Sequence, residues 1–238
     1  MSDAATPTAL IFGATGYTGR YLVHGLLGRG LRTVAHIRTK SSKVARLGSE
    51  FESAGAQVAL EDWEEGAIAA LVERVQPTVV FGVLGTTRSR MKHDSRASYE
   101  AVDYGLTAMA HRACEISQAT PRFVYLSAMG VRANARMPYM AVRWRMEKEL
   151  QAGKTPWMIV RPGFISGSDR DEFRLGERLA ANVSDGFLAV AGLLGGRRMR
   201  SRFSSMSGRE LADGMIDWAL SPEGAGRIVS TSDLRAKP

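Results

Sequence analysis

Short apolar runs and amphipathic stretches alternate along this chain. The first run, Thr8 to Phe12, leads at once into Gly13, Gly16 and Gly19 and then into an amphipathic stretch, Arg20 to Leu27. Arg32 to Ile37 and Gln57 to Leu60 read as further strands, with helices at Lys43 to Ser53 and Glu64 to Val75. Thr78 to Gly85 is nearly all apolar, the character of a central parallel strand covered on both faces. A helical pattern from Tyr99 to Gln118 follows, then a strand from Phe123 to Leu126. A helix beginning at Pro138 and continuing through Glu149, and a strand from Trp157 to Val160, complete the regular part. Strands alternating with helices in this way predict an α/β, doubly wound parallel sheet. Beyond Ser166 the pattern loosens. Asp171 to Val183 and Glu210 to Ala219 read as helices, Gly192 to Ser205 as a loop, and Gly226 to Ser230 as a last strand. The tail, Leu234 to Pro238, is expected to fray.

Composition adds bounds to this picture. The 238 residues suit a single domain, 1–238, in which 164–207 forms a small C-terminal substrate-side loop or lid. Phe187, Leu188, Leu193, Leu194, Met199 and Phe203 would give that region either an apolar lid or part of the core. Hydrophobic content of 45% and charged content of 24% exclude a disordered or collagen-like chain. No signal-peptide pattern opens the sequence, and no apolar run is long enough to cross a bilayer. The lone Cys114 is expected to be a core thiol in a reducing compartment, and the cytoplasm is the expected location. His24, His36, His93 and His111 lack metal-ligand spacing, so no metal is expected. The net charge of +8 includes a cluster at Arg197, Arg198, Arg200 and Arg202. Without a nucleic-acid motif beside it, this reads as a solvated basic surface partly serving an anionic cofactor. Neither a membrane nor a nucleic acid is expected as partner. A homodimer is compatible with the sequence.

The chemistry begins at the glycines. A strand, a Gly-rich turn and a helix in immediate succession are what a dinucleotide-binding βαβ unit requires. Gly13 permits the turn, Gly16 admits a pyrophosphate, and Gly19 lets the helix pack near the sheet. The N–H groups of the helix start, around Thr15, Tyr17 and Thr18, face the phosphates. About twenty residues beyond the glycines, where an acidic side chain would bind the ribose of NAD, stands Arg38. With Lys40, Ser42 and Lys43 behind it, Arg38 favours the 2′-phosphate of NADPH. Asp62 either accepts from the adenine amino group or, the favoured reading, caps the following helix with Glu65. Leu84, Gly85 and Thr86, with Thr87 and Arg88, form a loop at a strand's carboxyl end, where open α/β sheets bind ligands. Ser127 ends the fifth strand. Tyr139 and Arg143, four residues apart, share one helix face. Pro162 and Gly163 form a turn that shapes a wall beside the nicotinamide.

Taken together, these motifs resemble the short-chain dehydrogenase/reductase superfamily, and within it the atypical NmrA-like and Tat-interacting-protein-like members. The resemblance rests on Gly13-Ala14-Thr15-Gly16-Tyr17-Thr18-Gly19, Leu84-Gly85-Thr86-Thr87-Arg88, Leu126-Ser127-Ala128-Met129-Gly130 and Arg161-Pro162-Gly163. It covers about two-thirds of the chain and stops near Ile165. It implies a Rossmann fold and an NADPH-dependent oxidoreductase, with Tyr139 as the acid that protonates a carbonyl oxygen. Ser127 would hydrogen-bond that oxygen. The superfamily's lysine four residues after the tyrosine is Arg143 here, a permanent charge that supports the electrostatic role but cannot relay a proton. The implied substrate is a small apolar or aromatic carbonyl or quinone-like compound, of the kind met in secondary metabolism. The alternative is a catalytically silent NADP(H)-sensing protein that binds a protein partner.

Overall fold

The computed structural model describes residues 6–86, 88–94, 97–166 and 205–238. The chain begins with β1 (Thr8–Phe12), α1 (Tyr17–Leu27) and β2 (Arg32–His36). A helical segment follows, a π-turn at Val44–Gly48 running into α2 (Ser49–Ser53), then β3 (Gln57–Ala59), α3 (Glu65–Val75), β4 (Val79–Gly82) and α4 (Arg88–His93). A second π-turn, Tyr99–Leu106, runs into α5 (Thr107–Ile116) and is followed by β5 (Arg122–Leu126), α6 (Pro138–Ala152) and β6 (Trp157–Arg161). The described chain closes with β7 (Ile165–Ser166), β8 (Met206–Ser207), α7 (Gly208–Leu220), β9 (Arg227–Ser230) and α8 (Thr231–Ala236).

Seven strands pair in the order β3-β2-β1-β4-β5-β6-β9, every pair parallel, and β7 pairs with β8 alone. This is the Rossmann arrangement that the alternating pattern predicts, with the strand order reversing beside β1. Side-chain alternation splits the core into two layers. Ala9, Ile11, Phe81, Val124 and Val160 face α1 and α7, where Leu22, Leu26, Met215 and Ile216 meet them. Leu10, Phe12, Val80, Tyr125 and Ile159 face the other way, onto Ile68, Leu71, Val72, Met146 and Leu150 of α3 and α6. Cys114 lies in that second layer, as the sequence implies, and burial pushes its thiol far up.

Three expectations change. Asp62 does not cap α3: the cap position is Glu64, which makes no side-chain capping bond. Glu64 N donates to the Asp62 carbonyl at 2.9 Å, and this tight turn sets Asp62 outside the cap. The tail does not simply fray, because residues 231–236 are helical. Asp233 Oδ2 accepts from Ser230 N at 2.8 Å, Leu234 is buried, and Trp218 Nε1 donates to the Asp233 carbonyl at 3.0 Å. The fourth strand ends at Gly82 rather than Gly85: Val83 N still donates to Phe12 O at 3.0 Å, but Val83 to Thr86 have no regular structure. The expected helix at Asp171 to Val183, the arginine cluster and the apolar lid lie outside the described residues.

Two buried histidines make stability depend on pH. His36 and His111 are 2% and 0% exposed. Burial holds both imidazoles below the usual histidine range, despite nearby groups that oppose the shift. The unfolded chain therefore takes up protons near pH 6.5 before the folded chain does, and stability falls as pH drops below that value. Urea unfolding of the wild type is expected to lose stability between pH 6.5 and pH 5, by up to about 1.4 kcal/mol per pH unit for each histidine. His111→Gln should have a lower stability but a flatter slope over that window; an unchanged slope rules His111 out as a contributor.

Candidate active site

The site forms where β1 hands over to α1. Gly13 sits at φ +94°, and a Cβ there would lie 2.8 Å from the Val83 carbonyl oxygen of the neighbouring loop. A Cβ on Gly19 would lie 2.2 Å from Gly13 O, closer than any non-bonded contact allows. Gly16 occupies the cap position of α1 with extended backbone and no side-chain cap, and no acidic residue stands in the first turn. Helix α1 therefore presents its first-turn N–H groups and positive dipole end at the sheet's carboxyl edge, an anion site without further machinery. Thr15 is half-buried and Thr18 buried. The Tyr17 side chain turns away from this turn: its hydroxyl donates to Ser166 O at 3.1 Å and accepts from Gly208 N at 3.3 Å.

The other expected residues follow along the same edge. Arg38 is exposed beyond β2, Lys43 half-buried before the first π-turn, and Asp62 half-buried after β3. Leu84, Gly85 and Thr86 follow β4. Thr86 is 5% exposed, and its Oγ1 is buried with no partner among the described residues. Ser127 follows β5, and Pro162 and Gly163 follow β6. Met129 N donates to Pro162 O at 3.0 Å and Gly163 N to Thr231 Oγ1 at 2.8 Å, so both loops are pinned.

Helix α6 brings its face of i, i+4 residues onto these strand ends. Tyr139 lies in the first turn after Pro138, with its ring edge-on to Tyr99 at 5.3 Å between centroids. The Arg143 guanidinium carbon is 4.7 Å from the Tyr139 ring centroid, a cation–π contact. Arg143 is 2% exposed, and both of its terminal nitrogens donate within the protein. Nη2 donates to Asp103 Oδ1 at 2.8 Å, and Nη1 donates to the Leu126 carbonyl and, at 3.3 Å, to the Tyr125 hydroxyl. The second oxygen of Asp103 accepts from Thr86 N at 2.8 Å. One carboxylate thus ties α6 to the β4 loop. Burial pushes the Tyr125 phenol up, so it stays neutral.

One turn further along the same face is Glu147, 0% exposed. It accepts from Arg161 Nε at 3.0 Å on one oxygen and from Arg161 Nη2 on the other. Ser127 Oγ donates to Glu147 Oε1 at 2.5 Å. Sequence reasoning named Ser127, Tyr139 and Arg143 but missed Asp103, Tyr125 and Glu147. Glu147 carried a readable signal, since it stands four residues beyond Arg143. Asp103 carried none, because only the packing of α6 against the second π-turn gives it a partner.

The profile of the NAD(P)H-binding family matches residues 13–186. The chain belongs to that family. Among proteins it resembles are two mitochondrial FMP52 proteins, from Scheffersomyces stipitis (27% identical, covering 69% of this chain and 72% of the relative) and Coccidioides immitis (28%, covering 75% and 73%). A third is the chloroplastic divinyl chlorophyllide a 8-vinyl-reductase of Zea mays, 30% identical over 67% of this chain and 40% of the relative. The fold is that of UDP-glucose 4-epimerase from Brucella ovis, solved in complex with NAD, at TM-score 0.64 and 15% identity over 94% of this chain and 77% of that one. These relatives correct the expected cytoplasmic location, because the FMP52 proteins are named mitochondrial. Among the described residues no helix is long and apolar enough to cross a membrane, and no group of His, Cys, Asp and Glu has the arrangement of a metal site.

The buried charges generate a stability test. Asp103 uses both oxygens as acceptors, and asparagine offers only one, leaving either Arg143 or Thr86 N unpaired. Asp103→Asn is expected to cost about 3–5 kcal/mol, the usual penalty for an uncompensated buried charge. Equilibrium urea unfolding measures it, and a loss below about 1 kcal/mol would mean that solvent reaches the pair.

Proposed function

We propose that this protein is an NADPH-dependent reductase of the atypical, NmrA-like short-chain dehydrogenase/reductase type. It transfers hydride to a small apolar or aromatic carbonyl or quinone-like substrate. The observation that carries this reading is that the Gly13–Gly19 turn follows β1 while Tyr139 packs against Arg143, whose Nη1 donates to the Leu126 carbonyl at the end of β5. The residues fit the cofactor: a Cβ on Gly13 or Gly19 would strike backbone, so the turn is open only to glycine, and Thr86 Oγ1, on the loop after β4, is a buried hydroxyl with no partner among the described residues. The vinyl reductase among the relatives supports a reductive activity.

When bound, NADPH supplies the hydride. The protein's part is to hold the nucleotide and to provide a proton. The first turn of α1 binds the pyrophosphate, and Arg38 with Lys43 takes the 2′-phosphate. Asp62 receives the adenine amino group, and the Pro162–Gly163 turn walls the nicotinamide. Tyr139 gives its hydroxyl proton to the carbonyl oxygen as the hydride adds to carbon, leaving an alcohol. Arg143, fixed by Asp103 and the Leu126 carbonyl, holds the Tyr139 ring through its cation–π contact. It acts through Tyr139.

One observation favours a second reading, an NADP(H) sensor without turnover. Arg143 is buried, and three of its five N–H groups go to Asp103, Leu126 O and Tyr125, so most of its donors are committed within the protein rather than to a ribose.

A titration of NADPH and NADH, followed by nicotinamide fluorescence, separates these readings. Arg38→Asp is expected to weaken NADPH at least tenfold, about 1.5–3 kcal/mol for lost charge-assisted bonds. NADH should change little. With quinones and aromatic ketones present, absorbance of the reduced nicotinamide should fall, and Tyr139→Phe should slow that fall at least a hundredfold. Binding without oxidation across the panel favours the sensor. No binding of either nucleotide overturns both readings.

A further inference from the structure

We propose that Glu147 and Arg161 fix the proton of Ser127, so that Ser127 meets the bound nucleotide as a hydrogen-bond acceptor for the carboxamide N–H of its nicotinamide. The inference rests on the nucleotide-binding part of the proposed function and assigns a specificity-determining role within that site.

The geometry leaves Ser127 little choice. Glu147 has no solvent exposure and is gripped by Arg161 through both of its oxygens, Nε at 3.0 Å from Oε1 and Nη2 on Oε2. Such a paired carboxylate is ionised and can only accept hydrogen bonds. The Ser127 hydroxyl, 2.5 Å from Oε1, must therefore be the donor. A hydroxyl has one proton and two lone pairs, so what Ser127 retains for any other group is acceptor capacity. A carbonyl oxygen offers nothing to such an atom, whereas an N–H group does.

Position then selects which N–H. Ser127 ends β5, two strands from β1 along the sheet, which is about 10 Å at ordinary strand spacing. With the pyrophosphate at the β1 turn, that distance reaches towards the nicotinamide end of the nucleotide, whose ring carries one neutral amide donor. The neighbouring Pro162–Gly163 turn is tied back to the Ser127 loop through Met129 N and Pro162 O at 3.0 Å, which holds the wall of this subsite in place.

Calorimetric titration with NADP⁺ and with its 3-acetylpyridine analogue tests this, because the analogue replaces the amide nitrogen by a methyl group and keeps the carbonyl. The wild type is expected to bind NADP⁺ about fivefold more tightly than the analogue, the worth of one neutral hydrogen bond. Ser127→Ala should close that gap to under twofold by weakening NADP⁺ and leaving the analogue unchanged. A merely structural role for Ser127 would weaken both ligands equally. Equal affinities in the wild type, or a gap that survives Ser127→Ala, overturn the inference while leaving nucleotide binding intact. If neither ligand binds, the proposed function falls and this inference with it.

Discussion

Between the carbonyl oxygen of Gly13 and the backbone of Gly19 there is room for a hydrogen atom and nothing larger. A side chain on Gly19 would press to 2.2 Å from that oxygen, and one on Gly13 would run into the β4 loop at Val83. The rest of the site depends on this closeness. It brings the start of α1 down onto the end of β1, so uncapped N–H groups open at the sheet's carboxyl edge rather than into solvent. It also draws the start of the β4 loop, Val83 and Leu84, against the same turn. A bulkier turn would lift α1 off the sheet, and its packing against α7 through Leu22, Leu26, Met215 and Ile216 would go with it.

Beyond the glycine turn, the site is held by two buried carboxylates, each paired with an arginine. Arg143 and Glu147 lie on successive turns of one face of α6, where they pair with Asp103 and Arg161, and both carboxylates have side-chain exposure of 0%. Each carboxylate also engages a group from another element, Thr86 N in one case and Ser127 Oγ in the other. Buried pairs of this kind contribute little net stability compared with an apolar core, but breaking one is costly. Their effect is geometric. The ends of β4, β5 and β6 are fixed relative to Tyr139 by directional bonds rather than by shape alone. Arginine suits this position better than lysine does, because its planar fork reaches a carboxylate, a carbonyl and a phenol at once.

Much of this was legible along the chain. The alternation of apolar runs and amphipathic stretches located the strands to within a few residues, and the central runs, apolar on both faces, marked a sheet covered on two sides. Local patterns were less reliable where two local roles competed. Asp62 has the spacing of a capping residue, yet the turn to Glu64 removes it from the cap. Leu234 to Pro238 has the composition of a loose tail, yet Asp233 and Leu234 anchor it against α7. Location failed for a different reason: a compartment is not a physical property of the folded domain, and the relatives named mitochondrial overrule the expected cytoplasm.

The sequence by itself determined the fold class and the nucleotide turn, because both follow from short-range constraints. A periodicity of two or of 3.6 fixes which face is buried, and three glycines fix how near two backbones come. The same reasoning reached Ser127, Tyr139 and Arg143 through helix spacing and strand ends. Only the tertiary structure decided what those residues can do. Asp103 lies 40 positions from Arg143 and Glu147 lies 20 from Ser127. The direction of a hydrogen bond depends on the charge of a partner that chain order does not bring near. A hydroxyl in a sequence is both donor and acceptor, and here it is the buried carboxylate across the sheet's edge that leaves Ser127 an acceptor.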